Sequence, residues 1–142
     1  MKRYALIGLV VLISYLSNAC SSDDGRGQEI RNYRYEVTGT ISVPVQIQYT
    51  PTFLSREDAL DDVDYEETVM LPWTKEVSLH YLASGVGLSV AVEDGFVGET
   101  VSIKIFLEDE QVATHTAEVA PDGVLVFTVN YYIDGTVTVH GD

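Results

Sequence analysis

Apolar and polar residues alternate along most of the chain, in short segments that begin near residue 33. A period of two places the apolar side chains on one face of a β-strand, so each segment predicts a half-buried strand. Pro44 indicates an edge or a strand start, and Pro72 bends or ends its strand. The predicted strands cover residues 33–39, 43–49, 68–73, 77–81, 88–92, 101–107, 112–119, 125–131 and 137–139.

Turn signals separate these segments, among them Pro121-Asp122-Gly123 and Asp134-Gly135. Most connectors are too short for the crossover that parallel strands need, so neighbouring strands should be antiparallel. With almost no helical period, the pattern predicts an all-β, antiparallel β-sandwich of about seven to nine strands.

The same alternation predicts which side chains form the core between the sheets. His80 and His115 fall in the polar phase of their strands and should face solvent. The predicted inward side chains are Tyr35, Val37, Ile47, Leu71, Trp73, Leu79, Leu88, Val90, Val101, Ile103, Ile105, Leu125, Phe127 and Val129.

The first nineteen residues have a different pattern. Lys2 and Arg3 precede an apolar run over residues 4–16, and Ser17-Asn18-Ala19 brings small and polar residues before Cys20. These are the parts of a secretory signal peptide, and the apolar run is short of the ~20 residues that span a bilayer as a helix. We therefore predict a cleaved signal over residues 1–19, which leaves about one domain.

Cys20, the single cysteine, follows this signal in an arrangement that resembles the lipobox of bacterial lipoproteins. The resemblance implies that Cys20 is lipidated and becomes the mature N-terminus; the alternative is an ordinary signal followed by a chance cysteine. Residues 20–31 are small, polar and charged, which predicts a lipidated flexible tether before a β-sandwich domain at 32–142. The stretch 21–25 also resembles the acidic export signals of Bacteroidetes lipoproteins, which implies anchoring in the outer membrane and favours the cell surface.

Charge excludes some partners. The formal net charge is −14 and becomes two charges more negative when Lys2 and Arg3 are removed. Nucleic acid is excluded because phosphate contacts need clustered Lys and Arg, and anionic lipid is disfavoured as a direct partner.

Five segments together resemble a known domain: residues 35–39 (YEVTG), 45–50 (VQIQYT), 71–75 (LPWTK), 88–92 (LSVAV) and 101–105 (VSIKI). They are similar to the extracytoplasmic domain of the mycobacterial small membrane proteins, the MmpS transport accessory family, over about residues 33–133. The resemblance implies an immunoglobulin-like β-sandwich. It also implies a role beside a lipid or siderophore exporter of the resistance-nodulation-division class.

No catalytic motif surrounds His80, His115 or His140, and no cofactor is expected. An acidic cluster at Asp58, Asp61, Asp62 and Asp64, continued by Glu66 and Glu67, offers hard oxygen ligands for Ca²⁺. It lacks the glycine turn and the terminal glutamate of an EF-hand loop, so a solvated acidic loop is the favoured interpretation.

Trp73, Tyr131 and Tyr132 are candidate interaction residues because Trp and Tyr act as anchors in interfaces. Core packing is the favoured explanation of Trp73, and strand formation explains most tyrosines. The sequence thus predicts a non-enzymatic lipoprotein that contacts another envelope component through a sheet edge or the 51–67 region. The alternatives are an accessory subunit of an exporter, and a module that binds glycan, lipid or metal.

Overall fold

The structure, a computed structural model, describes residues 30–55 and 65–141. The described residues form strands and turns without helices, as the alternation predicted. The strands are β1 (Ile30–Gly39), β2 (Val45–Tyr49), β3 (Tyr65–Val69), β4 (Trp73–His80), β5 (Gly85–Val92), β6 (Thr100–Leu107), β7 (Glu110–Glu118), β8 (Leu125–Tyr132) and β9 (Val137–His140).

Two antiparallel sheets pack face to face. The four-stranded sheet has the order β4-β1-β6-β7, and the five-stranded sheet has the order β3-β2-β5-β8-β9. Side chains of alternate residues meet between the sheets, as in the fully buried series Leu88, Val90 and Val92 of β5. The prediction of an all-β antiparallel sandwich is confirmed.

Most of the predicted core is buried, but Leu71 and Trp73 are only half buried. The predicted strand over 68–73 is wrong: β3 ends at Val69, the chain turns, and β4 begins at Trp73. The Leu71–Pro72 peptide in this turn is cis. Leu71 therefore lies in a connection at the edge of the sandwich, where fewer neighbours cover it.

His80 is also placed differently from its prediction, with 7% of its surface exposed. The chain turns directly after it, which removes the simple alternation that pointed His80 to solvent. Its ring contacts that of Tyr81 with centroids 4.6 Å apart and the planes tilted by 35°, and Nδ1 accepts a hydrogen bond from the Leu82 N–H at 3.3 Å. The backbone N–H of His80 donates to Phe53 O at 2.8 Å.

The two ends of the sandwich differ in what they carry. We call the end where β1 begins the entry end; there Ile30 of β1 pairs with His80, the last residue of β4. Strand β1 includes Ile30 and Arg31, two residues before the predicted domain start at 32. The turns over 81–84 and 133–136 lie at this entry end, since Gly85 pairs with Tyr132. At the far end β1 finishes opposite Val101, next to the loop over 93–99. No described residue belongs to a helix long and apolar enough to cross a membrane.

Candidate functional site

The candidate site lies where the edge strands of the two sheets, β3 and β4, run along the same side of the sandwich. The pairing of Tyr49 with Tyr65 directs both side chains to the inner face of the five-stranded sheet. The buried Tyr49 ring lies 5.5 Å from the ring of Tyr65 and 5.4 Å from the ring of Trp73. Tyr65 is 51% exposed, so a buried ring supports two rings that reach solvent. We call Tyr49, Tyr65, Glu67, Trp73 and Lys75 the aromatic edge.

The Glu67 carboxylate joins these side chains across the gap between the sheets. Its Oε1 accepts hydrogen bonds from the Tyr49 hydroxyl at 2.7 Å and from Lys75 Nζ at 3.0 Å. Its Oε2 accepts one from Trp73 Nε1 at 3.3 Å. Lys75 Nζ also lies 5.5 Å from the centre of the Tyr49 ring, within reach of a cation–π interaction. The Tyr49 and Trp73 rings are therefore held by hydrogen bonds as well as by packing.

The hydrogen bonds of this cluster favour the charged forms of Glu67 and Lys75. The hydrogen bonds from Tyr49 and then Lys75 lower the pKa of Glu67. The pKa of Lys75 is raised, first through the Tyr49 hydroxyl and then through Glu67. Both groups therefore stay charged around neutral pH. The cluster thus presents a fixed ion pair among aromatic rings.

A second carboxylate holds the edge strand on its outer face. Gln46 and Gln48 of β2 both donate from Nε2 to Glu66 of β3, the latter at 2.9 Å. These bonds lower the pKa of Glu66. Glu66 is therefore bonded within its own sheet, whereas Glu67, on the opposite face of β3, also bonds to Trp73 and Lys75 of the other sheet.

The paired tyrosines near the end of β8 point to opposite sides. Tyr131 belongs to the core with 8% of its surface exposed, and its ring lies 6.4 Å from that of Tyr33. Tyr132 is 38% exposed at the entry end. The structure thus leaves Trp73 and Tyr132 accessible among the three predicted interaction residues, and only Trp73 lies in the aromatic edge.

The three histidines lie on three different strands. His80 ends β4, and His140 is exposed on β9. The prediction that His115 faces solvent is wrong: His115 of β7 pairs with the buried Ile103, and its ring edge packs against buried Phe127 of the other sheet at 5.4 Å. Within residues 30–55 and 65–141, no three His, Cys, Asp or Glu side chains are grouped so that they could hold a metal ion. Cys20 and the weak calcium candidates Asp58, Asp61, Asp62 and Asp64 lie outside the described residues.

Two depressions on the outer faces of the sheets lack the apolar lining that is usual for small-ligand sites. One of about 300 Å³ lies among Asn32, Arg34 and Glu76, and another of about 270 Å³ lies among Gln46, Thr68 and Glu93. Ligand sites are mostly lined by apolar and aromatic side chains. These two depressions are lined mainly by polar strand residues.

Sequence reasoning missed an exposed apolar pair at the far end. Phe96 and Val97 are 66% and 64% exposed. Their loop is ordered by Glu99, whose carboxylate accepts hydrogen bonds from the Phe96 N–H at 2.9 Å and from Ser42 Oγ at 2.8 Å. The signal was present in the sequence as two large apolar residues between Gly95 and Gly98, a composition that strands do not explain.

Comparison with known proteins adds no relative. A scan against protein-family models, a search of curated proteins and a search of solved structures each find no match to this chain. The functional interpretation therefore depends on the residues and the geometry described above.

Proposed function

We propose that this protein is a non-enzymatic lipoprotein, held in the outer membrane through Cys20, that binds another protein of the cell envelope through its aromatic edge. The observation that carries the proposal is the exposed Tyr65 ring beside the half-buried Trp73 ring, both supported by buried Tyr49. Trp and Tyr dominate the binding energy of many interfaces. Rings that Tyr49 and Glu67 already hold in place lose little conformational entropy on binding.

A protein partner fits this site because it lies on a sheet edge. Among the described strands, β3 has a neighbour on one side only, which is β2. Edge backbone offers unpaired N–H and C=O groups, and peptide segments commonly add to such edges. The ion pair of Glu67 and Lys75 at 3.0 Å would orient a partner of complementary charge pattern.

The resemblance to the MmpS family makes the proposal more specific. That resemblance supports an immunoglobulin-like topology and gives one specific form of partner, a membrane exporter. Strand β1 already includes Ile30, ten residues after Cys20, and a lipid anchor at Cys20 suits this short spacing.

A photo-crosslinking residue in place of Tyr65 should give a discrete crosslinked product in intact cells that make the full chain. The matched control carries the same residue in place of Val126, which is equally exposed but lies on the outer face of β8. Mass spectrometry of the product identifies the partner, and an exporter subunit would select the accessory role. Equal products from positions 65 and 126, or none from either, would contradict the aromatic edge as the contact surface.

Cys20→Ala should release the folded protein from the membrane fraction, since one residue carries the acyl chains that provide stable attachment. The measurement is fractionation followed by immunoblotting, with Ser21→Ala as the neighbouring control that keeps the anchor. If Cys20→Ala stays with the membranes, the apolar start is retained and the lipid-anchor proposal is wrong.

A further inference from the structure

We infer that the entry end of the sandwich rests on the surface of the bilayer that holds the anchor, an inference that depends on the lipid attachment at Cys20 proposed above. This end carries a patch of large apolar side chains that the core does not use: Tyr81, Leu82, Tyr132 and Ile133 are all exposed. We call these four residues the entry patch.

Backbone contacts place the members of the entry patch on adjoining turns. The Ile133 N–H donates to Ser84 O at 2.9 Å, which joins the turn after β8 to the turn after β4. Arg31, next to the start of β1, donates from its guanidinium to Tyr81 O at 2.7 Å. The patch and the point where the chain enters the domain therefore belong to one surface.

The short length of chain between Cys20 and the domain keeps the entry patch close to the bilayer. Ten peptide units join Cys20 to Ile30, a covalent reach of at most about 36 Å. The ten-residue strand β1 itself spans about 30 Å from the entry end to the far end. To bring the far end with Phe96 and Val97 to the membrane, the ten peptide units between Cys20 and Ile30 would have to run alongside the sandwich almost fully extended. The entry patch, in contrast, is held at high effective concentration next to the bilayer.

The chemistry of the entry patch suits a bilayer interface of uncharged or zwitterionic headgroups. Tyrosine favours the interfacial layer, and Leu82 and Ile133 can enter the acyl boundary. Carboxylates of Glu108 and Asp134 lie at the same end, where they accept backbone hydrogen bonds from Asn32 and Thr136. These carboxylates would repel an anionic lipid surface.

The test uses the full lipidated chain in phosphatidylcholine vesicles with and without brominated acyl chains. Leu82→Cys carries an environment-sensitive fluorophore, and Val97→Cys at the far end is the matched control; the lipid attachment occupies the sulfur of Cys20, which leaves no free thiol there. Both positions are exposed, so neither substitution disturbs the core. We expect brominated lipid to remove most of the emission from position 82 and to leave position 97 unchanged, with less quenching at 82 in phosphatidylglycerol vesicles.

The other outcomes would each contradict a different part of the inference: the membrane contact, the orientation, the uncharged surface or the anchor. Unquenched emission at 82 from protein that floats with the vesicles would overturn membrane contact while the anchor stands. Quenching at 97 instead of 82 would reverse the orientation. Equal or stronger quenching at 82 with phosphatidylglycerol would overturn the uncharged surface. Protein that does not float with the vesicles would contradict the anchor itself, and the inference would be lost with it.

Discussion

Ile103→Asp should leave the protein unfolded in physiological buffer. Ile103 is completely buried in β6, between Val37 of β1 and His115 of β7. Loss of a buried isoleucine side chain costs about 2–5 kcal/mol, and an unpaired buried charge adds several more. Because the whole domain is expected to be stable by only about 5–15 kcal/mol, this one change can remove most or all of it.

Circular dichroism and thermal melting of the variant measure this loss. Val126→Asp is the matched control, since it puts the same charge at a half-exposed apolar position on the outer face of β8. We expect the control to melt within a few degrees of the wild type. A sharp, cooperative transition for Ile103→Asp near the wild-type temperature would contradict the assigned register of β6.

Tyr35→Ala should destabilise the domain by about 3–5 kcal/mol, the usual cost of deleting a large buried aromatic side chain. Tyr35 of β1 is fully buried, and its hydroxyl donates to Thr50 O, just past the end of β2 in the opposite sheet, at 3.0 Å. Tyr35→Phe keeps the ring and loses only this bond, so about 1–3 kcal/mol is expected from the unpaired carbonyl. Chemical denaturation of the three proteins separates packing from hydrogen bonding. Equal losses in both variants would contradict this division.

Tyr35 should also make the stability of the domain decrease at alkaline pH. Burial raises the pKa of Tyr35 well above the ordinary value of 10.0. Above about pH 10 the unfolded state ionises this phenol, while the folded state keeps it protonated. The free energy of unfolding should therefore be unaffected by Tyr35 below pH 10 and should decrease as the pH rises above it. Tyr35→Phe should show a smaller decrease between pH 10 and 11.5. Identical alkaline profiles for wild type and Tyr35→Phe would show that Tyr35 does not carry this dependence.

Alternation predicted the inner strands well because a residue such as Ile103 has only two possible faces, and burial selects one of them. Alternation failed to predict strand β3, which lies at a sheet edge, and the burial of His80, which lies next to a turn. Strand β3 has the sequence YEETV, whose polar residues suit an edge and give no apolar signal. His80 ends a strand, and the turn that follows buries it against Tyr81.

The aromatic edge could be predicted only in part. Trp73 was identifiable as a single tryptophan on a strand, and Lys75 shares its face two residues later. Glu67 and Tyr65 could not be joined to them, because their contact depends on the register of β3 against Tyr49 and on the approach of two sheet edges. Tyr131 and Tyr132 are neighbours in the sequence, yet adjacent strand residues face opposite sides of the sheet, so only Tyr132 reaches solvent.

The sequence by itself determined the all-β class, most of the core and the prediction of an anchor at Cys20, because these depend on local period and composition. Only the tertiary structure decided which edge strands meet, which tyrosines reach solvent, and that the entry patch adjoins the start of β1. These features arise from contacts between residues far apart in the chain, such as Glu67 with Tyr49 and Ile133 with Ser84. Pairing register and sheet packing set such contacts, and no local pattern encodes them.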